Sequence, residues 1–109
     1  GHDVGDNALR IVSDTLRATA RDDDILVRWG GEELMVITRS AEKAALTGFG
    51  ERLRRAVSQI NDPDIPSITV SIGVSRSSVG EDFEKVIVVR ADKALYTAKA
   101  SGRNAVKTL

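Results

Sequence analysis

The stretch that decides the fold of this chain is Arg28-Trp29-Gly30-Gly31-Glu32-Glu33-Leu34. It lies between two short apolar runs, Ile25–Val27 and Met35–Ile37. Each run is too short for a helix and rich in strand-forming residues, and a Gly-Gly pair between two such runs is a strong hairpin signal. The stretch therefore predicts two antiparallel strands with the glycines at the tip.

The residues at the predicted tip could also bind a ligand. Gly30 and Gly31 carry no Cβ, so a ligand can approach their backbone closely. Glu32 and Glu33 offer adjacent carboxylates of the kind that hard divalent cations prefer, and such a cation would hold the phosphates of a nucleotide. A solvated turn followed by a charged strand start explains the same four residues, so the motif alone leaves both interpretations open.

Length and composition bound the function. With 109 residues, of which 41% are hydrophobic, the chain is expected to form one domain around one core. Sixteen basic and sixteen acidic residues cancel, so we expect no nucleic-acid partner. The absence of cysteine excludes disulfides and thiolate chemistry and is compatible with a cytoplasmic location. No apolar run approaches the roughly 20 residues of a membrane helix, so we expect a soluble chain without direct membrane insertion.

The spacing of apolar residues predicts the remaining elements. It indicates a helix over 7–20, a helix around 46–60 and a strand over 68–75. A helix follows from 83 to a stop at Gly102, with a middle that a β-branched run at 86–89 makes ambiguous, and a short edge strand lies over 105–109. Residues 1–6 have turn composition, and Asp6 is a suitable N-cap. Gly48 and Gly50 weaken the second helix by about 1 kcal/mol each, which either close packing or a later helix start would explain. This order indicates an α+β fold with a mainly antiparallel sheet.

Residues 28–34 resemble the signature hairpin of the GGDEF family, the diguanylate cyclases. Three more segments resemble the family's consensus sequence: the Gly-His-x-x-Gly-Asp of residues 1–6, the strand 69–74, and the longest match, 91–104. One residue departs from the family, because Leu34 stands where Phe is usual. Leucine keeps an apolar side chain at that position, so we expect a modest change in packing.

The resemblance implies a fold and an extent. The fold is the palm-like sheet of nucleotide cyclases and polymerases, flanked by helices. Residues 1–109 would be a single GGDEF domain that is incomplete at its N-terminus, since the family has a preceding strand with a metal-binding Asp and a Phe-Lys-x-x-Asn-Asp stretch. Loss of that strand would remove a central element of the sheet.

The resemblance also implies an activity. A homodimer of diguanylate cyclase condenses two GTP molecules into cyclic di-GMP, a bacterial second messenger, and two pyrophosphates, with Mg²⁺ or Mn²⁺ as cofactor. An upstream sensory or receiver domain is expected in the parent protein, and this short chain alone could be inactive. The alternative is a catalytically inactive domain that binds cyclic di-GMP or GTP and signals to a partner.

The family's functional residues match positions of this chain. Glu32 and Glu33 would bind the metal and act in catalysis, and Gly30 and Gly31 would contact the substrate. Asp6 would bind guanine, whose N1–H and exocyclic amine can both donate to one carboxylate. Lys99 and Arg103 would hold phosphates, although cations near a helix C-terminus are favoured by the helix dipole whatever the function.

A second match concerns regulation. Arg21-x-x-Asp24, with five residues between Asp24 and Gly30, resembles the family's inhibitory site for cyclic di-GMP, and Arg52 lies where some members have another arginine of that site. The planar fork of arginine fits a phosphate or the edge of guanine. A polar turn at 21–24 and a solvated basic helix face at Arg52 are the structural alternatives.

Overall fold

The computed structural model describes residues 2–39 and 42–109. The elements, in chain order, are α1 (His2–Thr19), β1 (Ile25–Gly30), β2 (Glu33–Ile37), α2 (Lys43–Ser58), β3 (Ile72–Val74), a π-helical segment (Phe83–Val88), α3 (Val89–Ala100) and β4 (Val106–Thr108). Gly1 of the predicted initial turn and the Ser40-Ala41 connection after β2 lie outside these residues. The mixture of helices with small sheets confirms the α+β class. None of the described helices combines the length and the apolar character needed to cross a bilayer.

The described strands form two separate pairs. β1 and β2 are the predicted antiparallel hairpin, in which Ile25 faces Ile37. β3 and the predicted edge strand β4 are parallel, with Ile72 opposite Val106. The predicted strand over 68–75 is therefore wrong in extent, because only Ile72–Val74 has a strand partner among the described residues.

The core lies between α1, α2 and the inner face of the hairpin. Val12 and Leu16 of α1 form a buried cluster with Phe49, Leu53 and Val57 of α2. The half-buried hydrophobic side chains packed against this cluster include three from the hairpin, two from the segment leading into β3 and the first residue of β3: Leu26, Leu34, Val36, Ile68, Val70 and Ile72. Full burial of one such aliphatic side chain contributes about 1.5–3 kcal/mol. The hairpin is thus held by its inner face, and its tip projects beyond the core.

Two glycines allow helices to approach the β3–β4 pair closely. A Cβ on Gly50 of α2 would lie 3.0 Å from a methyl group of Val106. A Cβ on Gly73 of β3 would lie 2.2 Å from the carbonyl oxygen of Ala91 in α3, which real structures do not tolerate. Because α2 already begins at Lys43, close packing and not a later helix start explains Gly50.

The beginning of α1 differs from the prediction. The helix already includes His2, so Asp6 lies inside it and the predicted N-cap is wrong. The turn composition of residues 1–6 was weak support for a turn, because a glycine in a helix costs only about 1 kcal/mol and tertiary context overrides it.

The last helix begins and ends as predicted but is irregular in its first part. The Asp82 side chain accepts a hydrogen bond from the Lys85 amide at 2.8 Å and caps the segment. The segment Phe83–Val88, which contains three residues of the β-branched run 86–89, is π-helical, and regular α3 begins at Val89. Gly102, at φ +113°, ends the helix, with its amide donating to Lys99 O and the Arg103 amide to Ala98 O. These two bonds are those of a Schellman motif.

Candidate active site

The hairpin tip is built by a bulge and a two-residue turn. Arg28 pairs with Leu34 and Gly30 pairs with Glu33, so Trp29 is the extra residue of a β-bulge. Gly31 has φ +51°, a conformation that glycine adopts without steric cost. The Arg28 Nε donates to the carbonyl oxygen of Gly31 at 3.0 Å, which ties the tip back to its own strand.

The two glutamates of the tip are both exposed. Glu32 lies in the turn and Glu33 begins β2 opposite Gly30, where an added Cβ would meet nothing within 4 Å. Within residues 2–39 and 42–109, no group of three or more His, Cys, Asp or Glu side chains could enclose a cation. Mg²⁺ is commonly held by only one or two carboxylates, with water and substrate phosphates completing its shell. Glu32 and Glu33 therefore suit a cation that binds together with a nucleotide, whose phosphates would complete the coordination shell.

A cleft of about 420 Å³ lies beside the hairpin, between it and α1. Its lining combines one carboxylate, three guanidinium groups and three leucines, and comprises Asp6, Leu9, Arg10, Ser13, Arg17, Leu26, Arg28 and Leu34. Small-molecule sites typically have this size and this mixture of apolar walls with a few polar groups. The cleft brings Asp6 together with the hairpin. Leu34, which stands where the family usually has Phe, contributes to both the cleft lining and the core contacts.

Lys99 and Arg103 occupy the end of α3. Lys99 is exposed in the last turn, and Arg103 is exposed in the turn that follows, at φ +65°. Neither belongs to the lining of the Asp6 cleft. The structure thus places the two phosphate candidates one turn apart but does not join them to Asp6 or to Glu32.

A second, smaller pocket lies beside the loop between α1 and β1. It has a volume of about 150 Å³ and is lined by Arg21, Thr38, Arg39, Ala45, Gly48, Phe49 and Arg52. The Arg52 guanidinium lies 5.5 Å from the centre of the Phe49 ring, a cation–π distance that holds its position. Arg21 and Arg52, 31 positions apart in the sequence, therefore face the same pocket.

Asp24 stabilises the wall of this pocket. It is only 6% exposed, and its carboxylate accepts the Arg21 amide at 2.9 Å and the Thr38 hydroxyl at 2.6 Å. Burial alone would raise the pKa of Asp24, but the Thr38 hydrogen bond, the Arg21 amide and the Arg21 charge outweigh it, so the pKa is lowered. Asp24 thus remains charged and links the loop before β1 to the residue after β2.

Sequence reasoning missed Arg39 and Thr38 as residues of the pocket. The predicted hairpin could have indicated both residues, because pairing of Ile25 with Ile37 brings the residues before β1 next to those after β2. Phe49 serves both the core and the pocket.

Comparison with known proteins identifies the family of this chain. The family described as "Diguanylate cyclase, GGDEF domain" matches residues 1–105. Diguanylate cyclase A of Treponema denticola is 38% identical over 109 residues, which cover 97% of this chain and 29% of that protein. The chain therefore belongs to the GGDEF domain family of diguanylate cyclases.

Solved structures show the same fold. The Pseudomonas aeruginosa diguanylate cyclase SiaD, solved in complex with its activator SiaC, superposes with a TM-score of 0.89 at 32% identity and covers 100% of this chain. The GGDEF domain of DgcB from Caulobacter crescentus, solved in complex with cyclic di-GMP, gives a TM-score of 0.84 at 32% identity over 99% of this chain. The chain spans 43% and 64% of these two molecules, so both extend well beyond the matched region.

Proposed function

We propose that this chain is the nucleotide-condensing part of a diguanylate cyclase, which joins two GTP molecules into cyclic di-GMP and releases two pyrophosphates. The observation that carries the proposal is the Gly30–Glu33 tip beside a cleft that contains Asp6, within a chain of the GGDEF family. Because one such site holds one GTP, two protomers must meet for the reaction to occur. The chain covers only 29% of diguanylate cyclase A, which supports its action within a longer protein that carries a regulatory domain.

In this proposal the chain's residues divide the work of holding the substrate. Asp6 accepts hydrogen bonds from guanine in the cleft, and the bare backbone at Gly30 and Gly31 lets the phosphates approach the tip. Lys99 and Arg103 neutralise phosphate charge from the end of α3. A divalent cation, Mg²⁺ or Mn²⁺, supplies charge stabilisation on the phosphates when it is bound.

The two glutamates have distinct tasks. Glu32, at the apex, is a metal ligand. Glu33, at the first paired position of β2, provides a second ligand or accepts the proton of the attacking 3′-hydroxyl. Both carboxylates are exposed, so they can reach a ligand without a change in the core.

The test is Glu32→Gln in the full-length protein. This isosteric change removes the charge and is expected to lower turnover by at least 100-fold, since loss of one electrostatic contact at a reacting centre commonly costs that much. Because Glu32 is exposed, the melting temperature should not change. Glu84→Gln, the same change at an exposed position outside the hairpin, is the matched control and should keep full activity. Unchanged turnover in the Glu32 variant would remove this residue from the mechanism.

We further propose that the arginine-lined pocket is an inhibitory site for cyclic di-GMP. Three guanidinium groups facing one pocket of about 150 Å³ favour an anionic occupant, and phosphate is the anion that their planar forks fit best. Arg21→Ala should weaken cyclic di-GMP binding and relieve product inhibition while it spares initial GTP turnover. Equal loss of turnover and of dinucleotide binding would contradict a separate inhibitory site.

A further inference from the structure

The turn that follows α3 has an unusual backbone. Gly102, Arg103 and Asn104 are consecutive, and their φ angles are +113°, +65° and +44°. Asparagine visits this left-handed region fairly readily, but arginine does so at a cost, and a left-handed residue other than glycine costs about 1–3 kcal/mol. Such a conformation persists only where the surroundings impose it.

Part of this constraint comes from α2. The Arg54 Nη1 donates to the Asn104 side-chain oxygen at 3.0 Å, which joins residues 50 positions apart. Another edge of the guanidinium binds Glu51, with Nη2 2.9 Å from the carboxylate and Nε donating as well. The Arg54 side chain is 19% exposed and that of Glu51 34% exposed. This pairing lowers the pKa of Glu51, chiefly through the Arg54 hydrogen bond, so the carboxylate that orients Arg54 stays charged.

The turn is also fixed on its other side. The Arg103 amide donates to Ala98 O at 3.1 Å, and the Ile72 amide donates to Ala105 O at 2.9 Å. The backbone of Arg103 is therefore held between the end of α3 and the start of β3, whereas its side chain is exposed. Only the side chain then has to be ordered when an anion binds.

We infer that Arg54 is a positioning residue for the phosphate-binding turn: with Glu51 it holds Asn104 and thereby presents Arg103 to the nucleotide. The inference rests on the proposed phosphate role of Arg103. An exposed arginine loses much rotamer freedom when it binds, so an already ordered backbone reduces the remaining cost. The role requires the fork of arginine, because a lysine ammonium cannot bind Glu51 and Asn104 with the same geometry.

The test compares Arg54→Lys with Arg55→Lys, the same change at the exposed neighbouring position. Both variants keep every trypsin site of the chain. The first readout needs no ligand: the rate at which trypsin cuts after Arg103, followed by mass spectrometry. We expect Arg54→Lys to raise that rate about tenfold, since proteolysis tracks local opening, and Arg55→Lys to leave it unchanged. Asn104→Gly, which keeps the backbone conformation available but removes the acceptor oxygen, should also raise it.

The second readout is GTP affinity, measured by titration in wild-type and Arg103→Ala backgrounds. Arg54→Lys should weaken GTP binding three- to tenfold when Arg103 is present and have no further effect when it is absent. An unchanged cutting rate, or faster cutting with unchanged GTP affinity, would overturn the positioning role. If Arg103→Ala itself left GTP affinity unchanged, the proposed phosphate role of Arg103 would fail and the inference would fall with it. The rate of cutting after Arg103 in the Arg54→Lys variant distinguishes these failures, because it reports whether Arg54 holds the turn whether or not Arg103 binds phosphate.

Discussion

Replacement of Thr38 by Val tests how the loop before β1 is held. The Thr38 hydroxyl donates to Asp24 at 2.6 Å, and the same carboxylate accepts the Arg21 amide. Valine has nearly the same shape but no donor, so the change removes one hydrogen bond and leaves a buried carboxylate oxygen without it. A hydrogen bond to a charged group contributes about 1.5–3 kcal/mol, and the half-buried position of Thr38 indicates a loss of about 2 kcal/mol. For a chain of this length the melting temperature should fall by roughly 10 °C.

The pH dependence of this loss follows from the lowered pKa of Asp24. A carboxyl group whose pKa is lower in the folded state stabilises the fold above its unfolded pKa, here 3.8, and this stability is lost as pH falls through the folded pKa. Thr38 is one cause of that lowering. The difference in free energy of unfolding between wild type and Thr38→Val should therefore be full at pH 6–7 and should shrink below about pH 4.

Urea unfolding followed by circular dichroism measures this difference. Thr15→Val is the matched control, because the Thr15 hydroxyl donates only to Ile11 O within its own helix, so its loss should cost less than about 0.5 kcal/mol. In an Asp24→Asn background the effect of Thr38→Val should be smaller by about 1 kcal/mol or more. Strict additivity of the two changes, or a loss that is independent of pH, would show that Thr38 does not stabilise the fold through the charged Asp24 carboxylate.

Four further changes have defined outcomes in thermal melts or binding titrations. Gly73→Ala should destabilise the fold by about 3 kcal/mol or more, because its Cβ would meet the backbone of α3 at 2.2 Å. Gly48→Ala, in α2 where nothing lies within 4 Å, should stabilise it by up to about 1 kcal/mol; a similar loss at both positions would contradict the packing described. Gly102→Ala, at φ +113°, should cost at least about 1 kcal/mol, and no cost would mean that the turn relaxes. Arg39→Ala should weaken cyclic di-GMP binding about tenfold, as Arg21→Ala should; unchanged binding would exclude Arg39 from the pocket's function.

The parts of the fold that sequence reasoning predicted are set by local chemistry. The hairpin follows from two short β-rich runs around Gly30-Gly31, and the end of α3 follows from a glycine in the left-handed region. The prediction for the start of α1 was wrong, because composition alone does not distinguish a loop from the first turn of a helix. The strand predicted over 68–75 was too long at its start. Strand pairing depends on a neighbour in space, and the alternation of apolar residues does not reveal that neighbour.

The candidate site divides in the same way. The Gly30–Glu33 tip could be located from sequence because its residues are contiguous. The arginine pocket could be predicted only in part, since Arg39 joins it through the register of the hairpin. The bond between Arg54 and Asn104 could not be predicted, because it depends on how α2 lies across the turn after α3.

The proposed cyclase activity is tested by the formation of cyclic di-GMP from GTP and Mg²⁺ by the full-length protein, with dimerisation enforced and products separated by chromatography. We expect one cyclic di-GMP and two pyrophosphates for every two GTP consumed, with activity that disappears when the protomers are separated. Absence of product at every protein concentration, from a folded protein that still binds GTP or cyclic di-GMP, would contradict the claim that this chain condenses nucleotides.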